Sequence, residues 1–311
     1  MNNTISIIIP FLNESESLPK LVEELNGFFA NKPYKPVVIF VDDGSTDNSV
    51  SILQQQSFYS FLGKIIVLSK NYGAHAAMRA GMKVSDSGYC MFLPADLQDP
   101  LILIDQCFQK IKESRADIVF AYRRNSKNSF FEKLFTRFYA SLMIKYVSPK
   151  YPAKGFDVVF FNKKITDNLN ANIESNSSVF IQILTTGYKQ ANIYYDKIAR
   201  NMGRSKWTLS KKIKLFIDSF VAFSFVPIRF VSLIGIIFFL FGILWTIYIV
   251  WRKLVLNDLN AGWPALTSIL LLGFGITNIA LGIIAEYVWR TLDASRKRPV
   301  FVIDEIIELN N

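Results

Sequence analysis

Histidine and cysteine, the residue types most often used in metal and redox centres, are almost absent from this sequence. Its 311 residues include one histidine, His75, and two cysteines, Cys90 and Cys107. One histidine excludes a metal centre built from histidines, and we expect His75 to be a polar surface or capping residue. Two cysteines exclude a disulfide framework and a thiolate metal site, so we expect both in the core of a reduced, cytoplasmic domain.

Acidic residues are scarce relative to basic ones. There are 25 Asp and Glu against 35 Lys and Arg, which gives a formal net charge of +10. This surplus predicts attraction to anionic lipid headgroups. No nucleic-acid recognition motif accompanies it, so nucleic acid is not an expected partner. With 51% apolar residues, the chain is too hydrophobic for intrinsic disorder.

Two long apolar stretches lie near the C-terminus. Residues 231–250 and 266–285 contain no charged residue, and each has the roughly 20 residues needed to cross about 30 Å of hydrocarbon. Lysines and arginines precede the first stretch and follow the second, whereas the loop between them contains only Arg252 and Lys253. This distribution predicts a multi-pass protein of the inner (cytoplasmic) membrane with both termini in the cytoplasm. The apolar run at residues 5–9 is too short for a secretion signal.

The chain is therefore expected to divide into four parts. Residues 1–207 form a cytoplasmic α/β domain, and residues 208–228 form a basic amphipathic helix in the headgroup plane, with packing on the domain core as the alternative. Residues 229–289 form two transmembrane helices, at 231–250 and 266–288. Residues 290–311 form a cytoplasmic tail.

Within residues 1–125, short β-branched stretches alternate with amphipathic ones, a pattern typical of βαβ units and a mostly parallel sheet. Ligands bind such sheets beyond the carboxyl ends of the strands. Each predicted end carries polar residues, which singly could be turn formers or helix caps. Their shared position predicts one site that includes Asn13, Glu14, Asp42, Asp43, Lys70, Asn71, Asp96 and Asp99.

Six motifs follow one another along the chain: IIIPFLNE at 7–14, VDDGSTD at 41–47, LSKNYGAHAA at 68–77, ADLQDP at 95–100, RNMGRSKW at 200–207 and AEYVWRTLDASRKRP at 285–299. With the two apolar stretches, they resemble the membrane glycosyltransferases of family 2 that transfer a sugar to polyprenyl phosphate. That family includes bactoprenol glucosyltransferases and dolichyl-phosphate mannose synthases. The resemblance implies a GT-A-like (Rossmann-type) fold and inverting transfer of a hexose from a UDP-sugar to undecaprenyl phosphate, for cell-envelope glycan synthesis. Glucose is the first expectation for the sugar, and Mg²⁺ or Mn²⁺ is the expected metal. The chain could also form a homo-oligomer.

The resemblance also assigns roles to individual residues. Asp96 is the expected metal ligand, because Mg²⁺ binds through one or two carboxylates plus substrate phosphates. Catalytic roles are expected for Asp96, Asp157, Arg200 and Lys206, the two basic residues neutralising phosphates. The expected nucleotide-sugar-binding residues are Pro10, Asn13, Glu14, Asp42, Asp43, Lys70, Asn71, Ala95, Arg204 and Ser205. The alternatives are a helix-start carboxylate for Glu14 and a membrane-surface charge patch for the basic loop.

The sequence departs from the family pattern at two positions. Family members usually have Asp-x-Asp where this chain has Pro94-Ala95-Asp96, so the first carboxylate is missing. Bactoprenol glucosyltransferases tend to have Gly-Asp-Phe-Arg in a segment where this chain has its acid one position later, at Asp157. Asp157 could equally be a structural turn residue. We expect Asp99 to cap the helix that begins near Pro100.

Two other functions remain open at the level of sequence. One is a non-catalytic membrane protein that binds a sugar nucleotide or acts as a scaffold, having lost the first Asp of the metal motif. The other is a transferase with a different lipid or protein acceptor. Metal-dependent turnover distinguishes the first of these from an enzyme.

Overall fold

The computed structural model describes residues 3–124, 137, 140–152, 156–174, 177–197, 263–295 and 299–309, and isolated positions between 233 and 255. The chain divides into two compact units. The first comprises Met1–Ser219 with Pro299–Asn311, and the second comprises Phe220–Arg298.

An eight-stranded sheet forms the centre of the first unit. Its strands are β1 (Thr4–Phe11), β2 (Lys35–Asp42), β3 (Leu62–Leu68), β4 (Tyr89–Phe92), β5 (Ile118–Arg123), β6 (Phe156–Asn162), β7 (Gln190–Tyr195) and β8 (Ile303–Leu309). Their order in the sheet is β7-β5-β6-β4-β1-β2-β3-β8. Strands β6 and β8 run antiparallel to their neighbours, and the other six share one direction. The predicted α/β fold with a mostly parallel sheet is confirmed.

Helices cover both faces of the sheet. They are α1 (Leu18–Phe29), α2 (Ser49–Gln54), α3 (Ala74–Val84), α4 (Ile102–Ser114), α5 (Lys163–Ala171) and α6 (Val179–Thr185). The two-residue period of a strand sends Ile7 and Ile9 of β1 into one core with α1 and α4, and Ile8 into the other core with α3. Cys107 and Cys90 are buried in these two cores without a disulfide, as predicted.

Helix α3 packs unusually close to the sheet. A Cβ atom at Gly81 would overlap the Ile8 side chain, so any larger residue here would force the helix or that side chain to move. The neighbouring buried residues Ala77 and Ala80 are also small. This packing holds α3, which directly follows the loop after β3, close against the sheet.

Strand β8 comes from the C-terminal tail. It pairs antiparallel with β3, where Lys64 Nζ and Glu308 Oε1 are 2.7 Å apart. The backbone N–H of Ser69 donates to the carbonyl of Val302 at 3.1 Å. The segment predicted only as a cytoplasmic tail therefore completes the sheet and contacts the loop after β3.

The described part of the second unit is dominated by helix α7, Trp263–Ser295. Large apolar side chains on it are exposed, including Phe274, Leu281 and Val288. Most of the first predicted span lies outside the described residues. Among those that are described, no helix meets the combined length and apolarity needed for a membrane crossing.

Candidate functional site

The carboxyl ends of the six parallel strands lie at one edge of the sheet and bring the predicted N-terminal site residues to that edge. Asp42 ends β2, Lys70 follows β3, and Asp96 follows β4. Asp157 is the second residue of β6, whose amino end lies at the same edge because that strand is antiparallel. The pairing of β5 with β6 shifts register here, between Ala121 and Tyr122.

Asp43 holds the loop after β3 against the end of β2. Its Oδ1 accepts the backbone N–H of Tyr72 at 2.8 Å, and its Oδ2 accepts that of Gly73 at 3.0 Å. Burial raises the pKa of Asp43, the two backbone hydrogen bonds oppose that shift, and the neighbouring charge of Asp42 adds to it. The carboxylate therefore has a positioning role in addition to its predicted nucleotide contact, for which lone pairs remain.

Gly44 makes the closest contact between the two loops. It has φ +73°, and an added Cβ would lie 2.5 Å from the carbonyl carbon of Lys70 and 2.6 Å from the nitrogen of Asn71. Both neighbours are backbone atoms, which cannot rotate away. Lys70 and Asn71 are exposed, so the loop presents them at the surface while its backbone is fixed by Gly44 and Asp43.

A second set of hydrogen bonds joins the loop after β1 to the loop after β2. Asn13 donates its backbone N–H to Ser45 Oγ, and its Oδ1 accepts the backbone N–H of Thr46, each at 2.8 Å. The backbone N–H of Ser45 in turn donates to both oxygens of Asp42, at 3.1 and 3.2 Å. Burial raises the pKa of Asp42, and the Ser45 hydrogen bonds oppose this. Asn13 and Asp42, both predicted site residues, thus belong to one rigid framework.

Glu14 and Pro10 lie beside this framework. The backbone N–H of Glu14 donates to Ser49 Oγ at 3.0 Å, and its Oε2 accepts the Ser17 hydroxyl at 2.9 Å. Its carbonyl accepts the N–H groups of Ser17 and Leu18 where α1 begins. These contacts fit the alternative of a helix-start residue for Glu14. Pro10 pairs with Val41 in the sheet, next to Asp42.

The turn that carries Asp96 has a strained backbone. Leu97 has φ +53°, a left-handed conformation that is uncommon outside glycine and clusters at functional sites. Asp96 Oδ1 accepts the backbone N–H of Gln98 at 3.3 Å. Ala95 is buried beneath this turn, whereas Asp96 is partly exposed. The turn therefore fixes Ala95 in the core and presents the Asp96 carboxylate at the edge.

The residues at Asp96 suit a hard divalent metal ion. No group of three or more His, Cys, Asp or Glu side chains comes together in the part of the chain that the structure describes. Mg²⁺ does not need such a group, because it commonly binds one or two carboxylates and takes its other ligands from substrate phosphates and water. Asp96 with the diphosphate of a nucleotide sugar would supply that donor set.

The prediction that Asp99 caps a helix is wrong. Helix α4 begins at Ile102 after Leu101 and has no side-chain cap. Asp99 is instead buried, and its Oδ1 accepts the hydroxyl of Tyr195 at 2.6 Å. Its Oδ2 lies 3.7 Å from Nζ of Lys197. A buried strand residue on the far side of β5 offered a stronger partner than the helix end did.

Sequence reasoning missed Tyr195, Lys197 and Arg123. Arg123 ends β5 and Tyr195 ends β7, directly opposite each other in the parallel ladder. The sequence pattern that could have found Tyr195 and Lys197 is the apolar alternation at residues 190–195. It predicts a strand there and places Lys197 just beyond the end of that strand. The predicted basic-loop residues Arg200, Arg204, Ser205 and Lys206 lie outside the described residues.

His75 is partly buried and packs against another side chain, which corrects the expectation of a surface or capping position. Its ring packs edge-on against Phe180, 5.9 Å between centroids, and its Nδ1 is buried without a hydrogen-bond partner among the described residues. Helix α3 begins after Gly73, so His75 is not its cap. Burial, with the nearby charge of Arg79, lowers the pKa of His75 to about 4.

This pKa predicts acid sensitivity. Between pH 6.5 and about 4 the unfolded chain binds a proton at His75 that the folded chain does not, so stability falls as pH falls, by at most about 1.4 kcal/mol per pH unit. Thermal unfolding of the protein in detergent across this range should show that loss. His75→Gln, which does not titrate, should show a shallower dependence on pH. Identical slopes for the two proteins would contradict a buried neutral imidazole.

Comparison with known proteins relates this chain to sugar transferases. The model of the family described as Glycosyl transferase family 2 matches residues 6–182. An uncharacterized glycosyltransferase of Bacillus subtilis (strain 168), YkcC, is 30% identical and aligns over 98% of this chain and 95% of its own. The undecaprenyl-phosphate 4-deoxy-4-formamido-L-arabinose transferase of Proteus mirabilis (strain HI4320) is 29% identical over 98% and 94%. The crystal structure of mannosyl-3-phosphoglycerate synthase from Rubrobacter xylanophilus superposes with a TM-score of 0.48 and 12% identity, over 69% of this chain and 71% of that one.

Proposed function

The chain belongs to glycosyltransferase family 2, and from this premise we propose that it transfers a sugar from a nucleotide sugar to undecaprenyl phosphate, giving undecaprenyl-phosphate sugar and nucleoside diphosphate. The observation that supports donor binding is the edge of the sheet, where the loops with Asp43, Lys70 and Asp96 converge within the family match. The acceptor is supported by the similarity to an undecaprenyl-phosphate transferase along almost the whole chain.

The reaction proposed is a single displacement with inversion. An oxygen of the acceptor phosphate attacks the anomeric carbon, and the bond from that carbon to the diphosphate oxygen breaks with its electrons going to the nucleoside diphosphate. The phosphate is already anionic near neutral pH, so no strong general base is needed. The main requirement is to stabilise the charge that develops on the leaving diphosphate.

The residues of this chain divide that work between them. The framework of Asn13, Asp42 and Asp43 holds the loops that would receive the nucleoside. Asp96 would hold Mg²⁺ or Mn²⁺, which would supply positive charge at the diphosphate. Asp157, at the same edge in β6, would contact the sugar or the acceptor. Further positive charge would come from Arg200, Arg204 and Lys206 of the predicted basic loop, and the Ser205 hydroxyl could donate a hydrogen bond.

UDP is the proposed nucleotide and glucose the first sugar proposed. The Proteus mirabilis relative is named for 4-deoxy-4-formamido-L-arabinose, so a pentose derivative belongs beside glucose among the donors to be tested. Hydroxyl contacts decide between such sugars, since a site that pairs a hydroxyl rejects an analogue lacking it.

We also propose that the second unit attaches the enzyme to the cytoplasmic face of the inner membrane. Residues 231–250 and 266–288 would cross the bilayer as a hairpin, and residues 208–228 would lie in the headgroup region. Exposed apolar side chains at helical spacing support this, since soluble proteins rarely expose large contiguous apolar patches. They include Leu233, Ile237, Leu240 and Leu244 in the first stretch, and Leu270, Phe274 and Leu281 in α7.

A second function is favoured by one specific observation. Pro94 occupies the position where members of the family usually have the first Asp of the metal motif. Asp96 is therefore the one carboxylate of that motif in this sequence. The loss of this carboxylate is expected in a protein that binds a sugar nucleotide without turnover.

The deciding experiment uses the purified chain in detergent with undecaprenyl phosphate and Mg²⁺ or Mn²⁺. Donors are UDP-glucose, UDP-N-acetylglucosamine, GDP-mannose and UDP-4-deoxy-4-formamido-L-arabinose. We expect nucleoside diphosphate release and a sugar-lipid mass with one of them, dependent on lipid and lost with EDTA. Donor binding without release across the panel would favour the non-catalytic function. If nucleoside diphosphate release requires a lipid other than undecaprenyl phosphate, only the proposed acceptor would have to be revised.

A further inference from the structure

Two basic side chains lie at the edge of the sheet that also carries the Asp96 turn. Arg123 is the last residue of β5, and Lys197 follows the end of β7 by two residues. Because β5 and β7 are parallel, with Arg123 opposite Tyr195, both strands end at the edge that carries Asp96. Neither residue belongs to the motifs found in the sequence.

Lys197 belongs to a small, largely buried network, here called the Asp99 network, which consists of Asp99, Tyr195 and Lys197. Tyr195 donates its hydroxyl to Asp99 Oδ1 at 2.6 Å. Lys197 Nζ lies 3.7 Å from Asp99 Oδ2, and that oxygen has no hydrogen-bond partner among the described residues. Two side chains therefore converge on one carboxylate, one through a hydrogen bond and one through charge.

Stability alone is a weak explanation for this network. The Asp99 side chain has no exposed surface, and a buried ion pair commonly does no better than well-packed apolar residues, because both charges lose their hydration. The same arrangement does fix the place of an ammonium group. The Asp99 carboxylate is in turn fixed by the Tyr195 hydroxyl.

The charged groups around Lys197 are of both signs. Burial lowers the pKa of Lys197, and Asp99 and Asp96 oppose this while Arg123 adds to it. Asp96 and Arg123 therefore lie near enough to act on the same ammonium. The Lys197 side chain keeps 19% of its surface exposed and Asp99 none, so an anion arriving from solvent reaches the lysine first.

We propose that Lys197 binds a phosphate group of a substrate beside Asp96, and that Asp99 with Tyr195 positions its ammonium. This inference rests on the proposed function, in which both substrates carry phosphate: the donor as a diphosphate and the lipid acceptor as a monoester. A lysine ammonium is a compact point charge suited to phosphate oxygens. Asp99 and Tyr195 act through Lys197 and do not touch the substrate.

The test measures equilibrium binding, so it does not depend on turnover. UDP and GDP probe the donor subsite, and undecaprenyl phosphate in detergent micelles probes the acceptor subsite, with the full-length chain throughout. Lys197→Ala should weaken binding of one class of probe at least tenfold, which identifies the source of the phosphate, because a charge-assisted hydrogen bond is lost. Lys197→Arg should restore most of the affinity.

Lys189→Ala is the matched control. Lys189 lies just before the amino end of β7, and its Nζ donates to the carbonyl of Ser114 at 2.7 Å. It is thus a lysine beside the same strand at the opposite edge of the sheet. We expect its replacement to leave both affinities within about twofold of the wild type, because it removes no charge from the edge that carries Asp96.

The positioning role is tested by a double-mutant cycle. Asp99→Asn should weaken binding of the same probe when Lys197 is present and have little further effect in Lys197→Ala, since the two changes remove one interaction. Tyr195→Phe, which keeps the packing of the ring, gives the same test if Asp99→Asn does not fold. A general loss of stability would instead weaken binding equally in both backgrounds.

Three results separate the inference from the proposed function. Wild-type affinity for both probe classes in Lys197→Ala would overturn the inference and leave the proposed function intact. Equal losses in Lys197→Ala and Lys189→Ala would also overturn it. A wild-type protein that binds no nucleoside diphosphate and no lipid phosphate would overturn the proposed function, and the inference with it.

Discussion

Replacing Asp96 with alanine is expected to lower turnover by roughly a hundredfold to a thousandfold, the loss typical of removing one group that stabilises developing charge. Asp96 is the carboxylate that the turn at Leu97 presents at the edge of the sheet, close enough to Lys197 to influence its pKa. With Pro94 at the other metal-motif position, no second carboxylate of that motif compensates. The measurement is nucleoside diphosphate release under saturating donor, acceptor and metal. Asp96→Asn, which keeps the shape and removes the charge, should lose as much.

Asp86→Asn is the control for this substitution. Asp86 precedes β4 at the opposite edge of the sheet, and its Oδ1 lies 2.8 Å from Nζ of Lys163 in an exposed ion pair. Exposed pairs contribute little to stability, so Tm should stay close to that of the wild type and activity should change by less than about twofold. If Asp96→Ala keeps more than roughly a tenth of wild-type turnover, Asp96 does not hold an essential metal.

Replacing Gly44 with alanine is expected to have the largest effect of any change that removes no functional group. The left-handed backbone at φ +73° costs about 1–2 kcal/mol for an L residue. Contact of the new Cβ with the backbone of Lys70 and Asn71 adds about 1–3 kcal/mol. The two loops would have to separate, which breaks the hydrogen bonds of Asp43 to Tyr72 and Gly73. We therefore expect a lower Tm and binding of UDP that is weaker by about tenfold or more.

Gly187→Ala isolates the backbone contribution. Gly187 has a similar φ of +78°, but nothing lies within 4 Å of the position its Cβ would take, and it belongs to the loop before β7, away from Asp43. Gly187→Ala should lower Tm less than Gly44→Ala does, and it should leave UDP affinity unchanged. Equal effects of the two substitutions on UDP binding would show that contact between the loops does not shape the donor subsite.

Much of the fold follows from local patterns in the sequence. The apolar stretches at β1 to β4 and the helical spacing in α1 predict βαβ units, and such units allow few arrangements other than a parallel sheet. The carboxyl ends of parallel strands share one edge, so the convergence of Asn13, Asp42, Lys70 and Asp96 follows from order along the chain. The family motifs in this region can be recognised from the sequence without knowledge of tertiary contacts.

Other features depend on contacts between distant parts of the chain, which no local pattern contains. Asp99 is followed by a helix, as a capping residue would be, but a hydroxyl 96 residues away became its partner. His75 lies at a helix start, and Phe180 packs against its ring. The C-terminal tail mixes isoleucines with acidic residues, and whether it forms a strand depends on the free edge of β3.

The sequence by itself determined the class of fold, the edge where the site forms and the chemical types of the residues there. The tertiary structure decided which of those side chains lie at the open edge and which hold other residues in place. Asp43 fixes a loop, Asp99 fixes a lysine, and Gly44 permits two backbones to meet. The physical reason is that periodicity records burial along one segment, whereas a hydrogen bond or a close contact requires the position of both partners.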